Sequence, residues 1–370
     1  MILKEIRLKD FGNYDETFCL LDDNINILVG DNAQGKSNLL DAIYYAAHVS
    51  SSKNQKEKDL IKWGRDSFGI SARFLNQMGE NEVEILYEGK KEVYLNRCKV
   101  EKKKDYIGIL SAIIFTPEDL NIVKGDPGTR RAFLDQEVMS TDVDYFLTLN
   151  RYRKILEQRN NLLRNAYHNP PSEENMSIWE EQLAIKGTHL LQKRLELVDN
   201  LKTIAQRIHH FISDGKENLE IHYSSTLNLS GLEKGGDEGL FIEGYKTTLK
   251  NNRSKDLERG FSSVGPHRDD LDLYIDGVSA KKFASQGQQR TLALSLKLSE
   301  LEFIHQKSGE YPLLLLDDVL SELDRNRKRK LLAVIDNKVQ TIITTTDLND
   351  IEEILEAKGK TIRIREGKVT

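Results

Sequence analysis

The chain has 370 residues, 38% hydrophobic and 31% charged, with a formal net charge of −5. That length suits about two domains, and a mean hydropathy of −0.53 describes a chain with a charged surface in which no apolar run approaches the roughly 20 residues of a membrane-spanning helix. The acidic balance (pI near 6.0) argues against broad nonspecific nucleic-acid binding, and two isolated cysteines exclude a disulfide framework and fit a reducing cytosol.

The N-terminus, from Met1 to Arg7, alternates like a strand and lacks the apolar core of a signal peptide. Phe11-Gly12-Asn13-Tyr14 forms a turn before the next strand. Ile25–Val29 reads as a buried strand, and Asn38–Ala47 reads as a helix. Between them, Gly30-Asp31-Asn32-Ala33-Gln34-Gly35-Lys36-Ser37 fits G-x-x-x-x-G-K-[ST]. Its glycines let backbone N–H groups close around phosphates, and the helix N-terminus aims its partial positive charge at them. Lys36 reaches terminal phosphates in such a loop, and the Ser37 hydroxyl ligates Mg²⁺. Glu82–Tyr87 and Val93–Leu95 read as antiparallel β, and Phe115-Thr116-Pro117 closes this lobe, because proline ends regular pairing.

From about residue 131 the period turns helical. One helix carries Phe146, Leu149, Leu156 and Leu163. A second, from about Ile178 to Ile212, repeats Leu183, Leu190, Leu197, Ile204 and Phe211 at seven-residue steps, with Leu201 and Ile208 between. Asn169–Glu174 is a turn, so the pair predicts an antiparallel helical hairpin about 45–50 Å long. His209 and His210 read as surface residues. A glycine-rich connection, Gly231 to Gly239, leads back near Arg259.

Pro312–Leu316 is a short apolar strand ending in Asp317 and Asp318, which places two carboxylates at the crevice where α/β sheets bind ligands. Asp317 is positioned to hold Mg²⁺ through water, and Asp318 to orient or deprotonate an attacking water. Ahead of this strand, Ala284–Arg290 is a polar loop opening the helix Thr291–Leu298. Behind it, Ser321-Glu322-Leu323-Asp324 opens a basic helix, and Val339–Asp347 is a further strand ending in hydroxyls. The expected organisation is therefore α/β: residues 1–130 as a first lobe with the phosphate loop, 131–259 as an inserted helical arm, and 260–370 as the remainder of the head.

Three basic clusters stand out: Lys99 with Lys102, Lys103 and Lys104 around a hairpin; Arg151, Arg153, Lys154, Arg159 and Arg164 along the first arm helix; and Arg325 to Lys330 after the double acid. Each reads either as a solvated face or as a local DNA contact.

The ordered set of phosphate loop, Ser285-Gln286-Gly287-Gln288-Gln289-Arg290, Leu314–Asp318 and Ser321–Asp324 resembles the ABC-type ATPases. Phe115–Leu120 and Gly265-Pro266-His267-Arg268-Asp269-Asp270 sharpen the resemblance to the RecF family of bacterial DNA replication and repair proteins. The resemblance implies ATP and Mg²⁺ as ligands, with Gly30 to Asn38 on the nucleotide. It also implies an ATP-dependent homodimer in which Ser285, Gly287 and Gln288 act on the partner's nucleotide. By the same resemblance the protein binds double-stranded and gapped DNA, works with RecO and RecR to load recombinase in repair and the SOS response, and acts in the cytoplasm. Asp318 stands where transporter relatives place Glu, and Thr346 where many place a γ-phosphate-sensing His, so hydrolysis is expected to be slow and to act as a switch. Gly12 stands where relatives often carry an arginine to the phosphates, with Lys9 or Arg7 as replacements. Residues near Glu118 are the positional candidates for the Mg-linking glutamine. The competing readings are an ATPase subunit of a transporter and an SMC-type tether. The inserted arm and Thr346 argue against the first, and the arm's shortness against the second.

Overall fold

Alternation of buried and exposed residues along β-strands builds the first layer. The computed structural model describes residues 1–53, 55–167, 170–232, 236–335, 338–347 and 359–369, together with all their side chains except that of Lys103. β1 (Ile2–Phe11) pairs antiparallel with β2 (Tyr14–Leu20). A bulge between Leu3 and Glu5 shifts the alternation by one, so Leu3 shares the buried face with Ile6 and Leu8. After β3 (Ile25–Val29) and α1 (Lys36–His48), the same sheet continues through β4 (Phe68–Asn76), β5 (Gly79–Glu88), β6 (Lys90–Leu95) and β7 (Cys98–Lys99) in the order β2-β1-β4-β5-β6-β7. β5 and β6 are the antiparallel pair expected from the sequence, with Val83 opposite Leu95. Then comes β8 (Ala112–Phe115), buried at every position.

The middle of the chain is mostly helical. α2 (Asn121–Lys124) precedes α3 (Pro127–Thr141), whose N-cap Asp126 accepts from the Thr129 N–H, with Pro127 at its start. α4 (Val143–Asn165) is capped by Asp142, which accepts from Tyr145 N–H. α5 (Glu173–Ile212) has 40 residues, about 60 Å at 1.5 Å each, so it is longer than expected and starts earlier. Of its heptad stripe Leu183, Leu190, Leu197 and Ile204 are buried, but Phe211 is 47% exposed. Asn169 and part of the expected glycine-rich connection lie outside the described residues. β9 (Leu219–Ser224), α6 (Glu238–Asn251), α7 (Arg253–Arg259), β10 (Asp270–Ile275), β11 (Val278–Ser279) and α8 (Ala280–Phe283) follow, with a three-stranded sheet ordered β11-β10-β9. This small sheet has no counterpart in the sequence reading, which saw only helices and a linker there.

α9 (Gln286–Ser308), β12 (Leu313–Leu316), α10 (Arg325–Ile335), β13 (Thr341–Thr345), β14 (Gly359–Arg365) and β15 (Lys368–Val369) complete the chain. Their strands join β3 and β8 in a second six-stranded sheet, β15-β14-β3-β13-β12-β8, parallel throughout except for the β14–β15 hairpin. β12 reads as an unbroken apolar run, and β3 as one broken only by the buried Asn26, because a parallel sheet is covered on both faces. α1 packs into a core with Leu28, Leu315, Ile342 and Ile362.

Contacts divide the chain into two units: Met1–Leu120 with Arg207–Lys216 and Arg290–Thr370, and Asn121–Gln206 with Glu217–Gln289. The second unit thus extends past Arg259, through the Gly265–Asp270 motif and the Ser285–Gln288 loop, which the sequence reading grouped with the head.

Candidate functional site: a phosphate loop facing two carboxylates

Parallel register puts the ends of β3, β13 and β12 side by side, with Thr345 opposite Val29 and Ile343 opposite both Ile27 and Leu316. Whatever follows each strand therefore meets at one edge. The loop after β3 is Gly30–Gly35, and the residues after β12 are Asp317 and Asp318. Asn32 to Asn38, Asp317, Asp318, Thr344 and Thr346 line one cleft there.

The loop's shape is forced by close approach. Gly35 has φ +116, and a Cβ on it would lie 2.7 Å from Asn13 side-chain atoms. A Cβ on Gly30 would lie 2.3 Å from the Ile364 carbonyl. Asn13 Nδ2 donates to Gln34 O at 2.9 Å, Tyr14 OH to Gly35 O at 2.9 Å, and Gly367 N to Gln34 O at 3.0 Å. With its carbonyls held from behind, the loop keeps the helix N-terminus of α1 open to an anion. No acidic residue sits in that first turn.

Lys36 is 8% exposed, and its Nζ donates to Gly30 O at 2.5 Å and Asp31 O at 2.8 Å. Burial pulls the Lys36 ammonium's pKa down, against the pull of Asp318, Asp317 and Asp31 upward. Ser37 Oγ donates to Asp317 Oδ1 at 2.8 Å, joining residues 280 positions apart. A hydroxyl and a carboxylate converging beside a phosphate loop are hard oxygen donors of the kind Mg²⁺ takes. Asp318 is exposed with φ +53, a left-handed conformation that Asp tolerates better than most residues.

Thr344, one of the hydroxyls of the strand Val339–Asp347 to which the sequence assigns no site role, organises the two acids. Its Oγ1 donates to Asp317 Oδ1 at 2.9 Å and accepts from Asp318 N–H at 2.8 Å. Thr346, the residue singled out in place of a histidine, is exposed and lines the same cleft. The two-residue repeat along β13 that puts Thr344 and Thr346 on one side was the available signal.

Other expectations fall differently. Gly12 has φ +57, and a Cβ there would lie 2.7 Å from Asn38 Nδ2, so the turn has no room for an arginine. Neither Arg7 nor Lys9 replaces it: both are exposed and line a separate cleft with Phe18 on the outer face of the antiparallel sheet. A cation that does reach the turn is Lys62, with Nζ 3.3 Å from Asn13 O. Glu118 is exposed in a short turn after β8 and does not line the cleft. Nor do Ser285, Gly287 and Gln288, which belong to the second unit. There, Gln288 N–H donates to Ser285 Oγ at 3.2 Å and Ser285 N–H to Gln288 Oε1 at 2.9 Å, a reciprocal capping box at the start of α9.

The histidine pair and the basic clusters are also partly corrected. His209 is fully buried with Nδ1 3.3 Å from Ser295 Oγ, while His210 is exposed. Arg159 is fully buried, bonded to Asp256 at 2.8 Å and Glu180 at 3.0 Å, so it belongs to the interior. Lys330 is bound to Asp214, Arg327 to Asp324, and Lys99 to Glu92. Arg151, Arg153, Lys154, Lys102 and Lys104 are exposed; the side chain of Lys103 lies outside the described residues.

A parallel sheet with a phosphate loop at one strand end, a double acid two strands away and an inserted helical unit defines an ATPase head of the ABC type. The family model described as the RecF/RecN/SMC N terminal domain matches residues 2–369. The chain is 40% identical over 371 residues to the DNA replication and repair protein RecF of Bacillus thuringiensis (strain Al Hakam), covering 100% of this chain and 98% of the relative. It is 39% identical to the same protein of Halothermothrix orenii, covering 100% of this chain and 99% of the relative. A solved structure of the recombination mediator protein RecF with ATPrS superposes with a TM-score of 0.90 at 35% identity, covering 99% of this chain and 97% of that one. The chain belongs to the RecF family of DNA replication and repair proteins. An Smc head bound to the C-winged helix domain of ScpA, at 15% identity and a TM-score of 0.57, shares the fold, covering 100% of this chain and 98% of that one. Among the described residues no helix is long and apolar enough to cross a membrane.

Proposed function

We propose that this chain is a cytoplasmic, ATP-dependent DNA-binding switch of recombinational repair. It binds ATP with Mg²⁺ at the Gly30–Asn38 loop, pairs head to head with a second copy, and holds duplex DNA near single-strand gaps, where RecO and RecR load recombinase. The observation that carries this reading is the Ser37–Asp317 hydrogen bond of 2.8 Å, which unites the phosphate loop and the double acid in one cleft. The similarity to RecF structures solved with ATP and with ATPrS supports the choice of nucleotide.

Ser37 and Asp317 would hold Mg²⁺, which would supply charge neutralisation at the phosphates. Lys36 then exchanges its two loop carbonyls for terminal phosphate oxygens. Asp318 orients the attacking water. Thr346 offers a hydroxyl to the γ-phosphate, which donates a hydrogen bond but carries no positive charge; this weak stabilisation suits slow turnover. Ser285, Gly287 and Gln288 serve the partner's nucleotide, so that nucleotide and dimer interface share one site. Hydrolysis then removes the contact that joins the two heads. DNA contact is assigned to the exposed Arg151, Arg153 and Lys154 of α4, with Lys102, Lys103 and Lys104 as a second candidate surface.

Sedimentation with ATP, with ADP and without nucleotide, each with and without a gapped duplex, tests the switch. ATP alone is expected to produce dimer, and Lys36→Ala is expected to remove both nucleotide binding and dimer. Ordinary ATP affinity in Lys36→Ala would sink the assignment of the site.

A further inference from the structure

The second unit carries a cleft of about 430 Å³ against α4, lined by Arg153, Leu156, Asn160, Arg164, Arg259 and Phe261. Along α4, Arg153 and Arg164 are eleven residues apart, about 20° off the same line and about 16 Å along the axis. Arg151, by contrast, stands about 160° round from Arg153. The stripe therefore differs from the α4 cluster that sequence position suggests.

The cleft gathers arginines without an acidic partner. Among the described residues no carboxylate pairs with Arg164, Arg259 or Arg268, whereas Lys330, Arg327 and Lys99 are already ion-paired. Arg153 is shared with Asp135 at 3.3 Å. Glu157 is the one acidic residue on the lining. A neighbouring cleft of about 200 Å³ shares Arg153 and Leu156 and adds Arg131 of α3, together with Asp135, which pairs with Arg153 and Arg194. On a chain of net charge −5 this is a concentrated cationic track.

The track includes an aromatic ring. Phe261 is 37% exposed, and the Arg268 guanidinium lies 4.4 Å from its centroid. The segment that presents it is tied down by hydrogen bonds. Gly260, with φ +72, ends α7 with its N–H bonded to Asp256 O at 2.8 Å. Asp256 is held by buried Arg159 at 2.8 Å, and Ser262 N–H donates to Asn160 Oδ1 at 2.8 Å. A Cβ on Gly260 would come 3.3 Å from Arg164 Cγ, so the glycine lets the turn lie on the arginine stem.

We infer that this cleft binds a single strand of nucleic acid, with Arg164, Arg259 and Arg153 on successive phosphates and an unstacked base on Phe261. Arginines along a groove with an exposed ring are the elements of sequence-tolerant single-strand binding; Arg268 lies over one face of the ring, so an unpaired base takes the side of Phe261 that lines the cleft. The inference rests on the DNA-binding reading given above and assigns the single-stranded side of a gap to this surface.

The test is fluorescence anisotropy of a labelled oligo(dT), and of a duplex of the same length, with ATP and Mg²⁺ across a salt series. The double variant Arg164→Glu/Arg259→Glu is expected to weaken oligo(dT) binding and to flatten its log–log salt slope by about 1.4, two phosphate contacts at about 0.7 each. Phe261→Ala is expected to lose ~10-fold in oligo(dT) affinity, at an unchanged salt slope, for one lost stacking partner. Unchanged melting and ATP affinity in all variants confirm folding. Wild-type oligo(dT) affinity in the variants, or equal losses on duplex with no effect of Phe261→Ala, would overturn the inference while leaving DNA binding standing. A wild-type protein that binds neither probe would overturn both.

Discussion

Replacing Thr344 by valine tests whether one buried hydroxyl holds the double acid in register. Thr344 is 1% exposed, and its Oγ1 both donates to Asp317 and accepts from the Asp318 N–H. Valine keeps the shape, so no cavity forms; only the hydroxyl is lost. A hydrogen bond to a charged carboxylate contributes about 1.5–3 kcal/mol, and the part-buried Asp318 N–H loses its partner at a net cost of about 0.5–1.5 kcal/mol. The two losses share one atom and do not simply add, which puts the expected destabilisation at about 2–4 kcal/mol. For a unit of this size each kcal/mol moves the midpoint by about 2–4 °C, so the melting temperature should fall by roughly 5–15 °C. Circular-dichroism melting measures this, and titration of a fluorescent ATP analogue against Mg²⁺ measures the site. The midpoint for Mg²⁺ should rise in Thr344→Val, because Asp317 keeps Ser37 but loses its second hydroxyl partner. Thr344→Ser should restore the Mg²⁺ midpoint while losing only a methyl. Melting and Mg²⁺ dependence both equal to wild type in Thr344→Val would refute the role of this hydroxyl.

Ser285→Arg should leave ATP affinity intact, since Ser285 does not line the cleft, yet block ATP-dependent dimerisation in a sedimentation assay; persistent dimer would count against action in trans. Gly12→Arg should destabilise the protein by at least about 1 kcal/mol, because the position combines φ +57 with Asn38 Nδ2 at 2.7 Å, and a melt that is unchanged would contradict the steric account. Burial holds His267 down to about 4 from an ordinary 6.5, with Ser262 O 3.1 Å from Nε2 and Tyr152 OH 2.8 Å from Nδ1. Between those values the unfolded chain binds a proton that the folded one refuses. The His267 contribution is therefore full above about pH 6.5 and is lost as pH falls toward 4, by at most about 1.4 kcal/mol per pH unit. His267→Gln should flatten the acid limb of a stability–pH curve from urea melts; an identical limb would remove His267 from the account.

The sequence by itself determined the parts whose chemistry is local. A phosphate loop needs glycines, a lysine and a hydroxyl at fixed spacing, and a strand buried on both faces shows as an unbroken apolar run, so Gly30–Ser37 and Leu313–Asp318 could be read from spacing alone. The heptad stripe of α5 was legible for the same reason, up to the point where Phe211 turns outward. What spacing cannot carry is which side chains distant segments bring together. Thr344 gained its role from the register of β12 on β13. Gly12 excludes an arginine because of Asn38, 26 positions on. Burial decided the rest: Arg159 and His209 look like surface residues in a charged helical run, yet both are fully enclosed. In the sheet β11-β10-β9, β10 and β11 form a local hairpin, but β9 pairs with β10 from about fifty residues away, a pairing that no local pattern reports. Local periodicity reports which face of an element is apolar; only the tertiary structure reports what that face, or a charge beside it, meets.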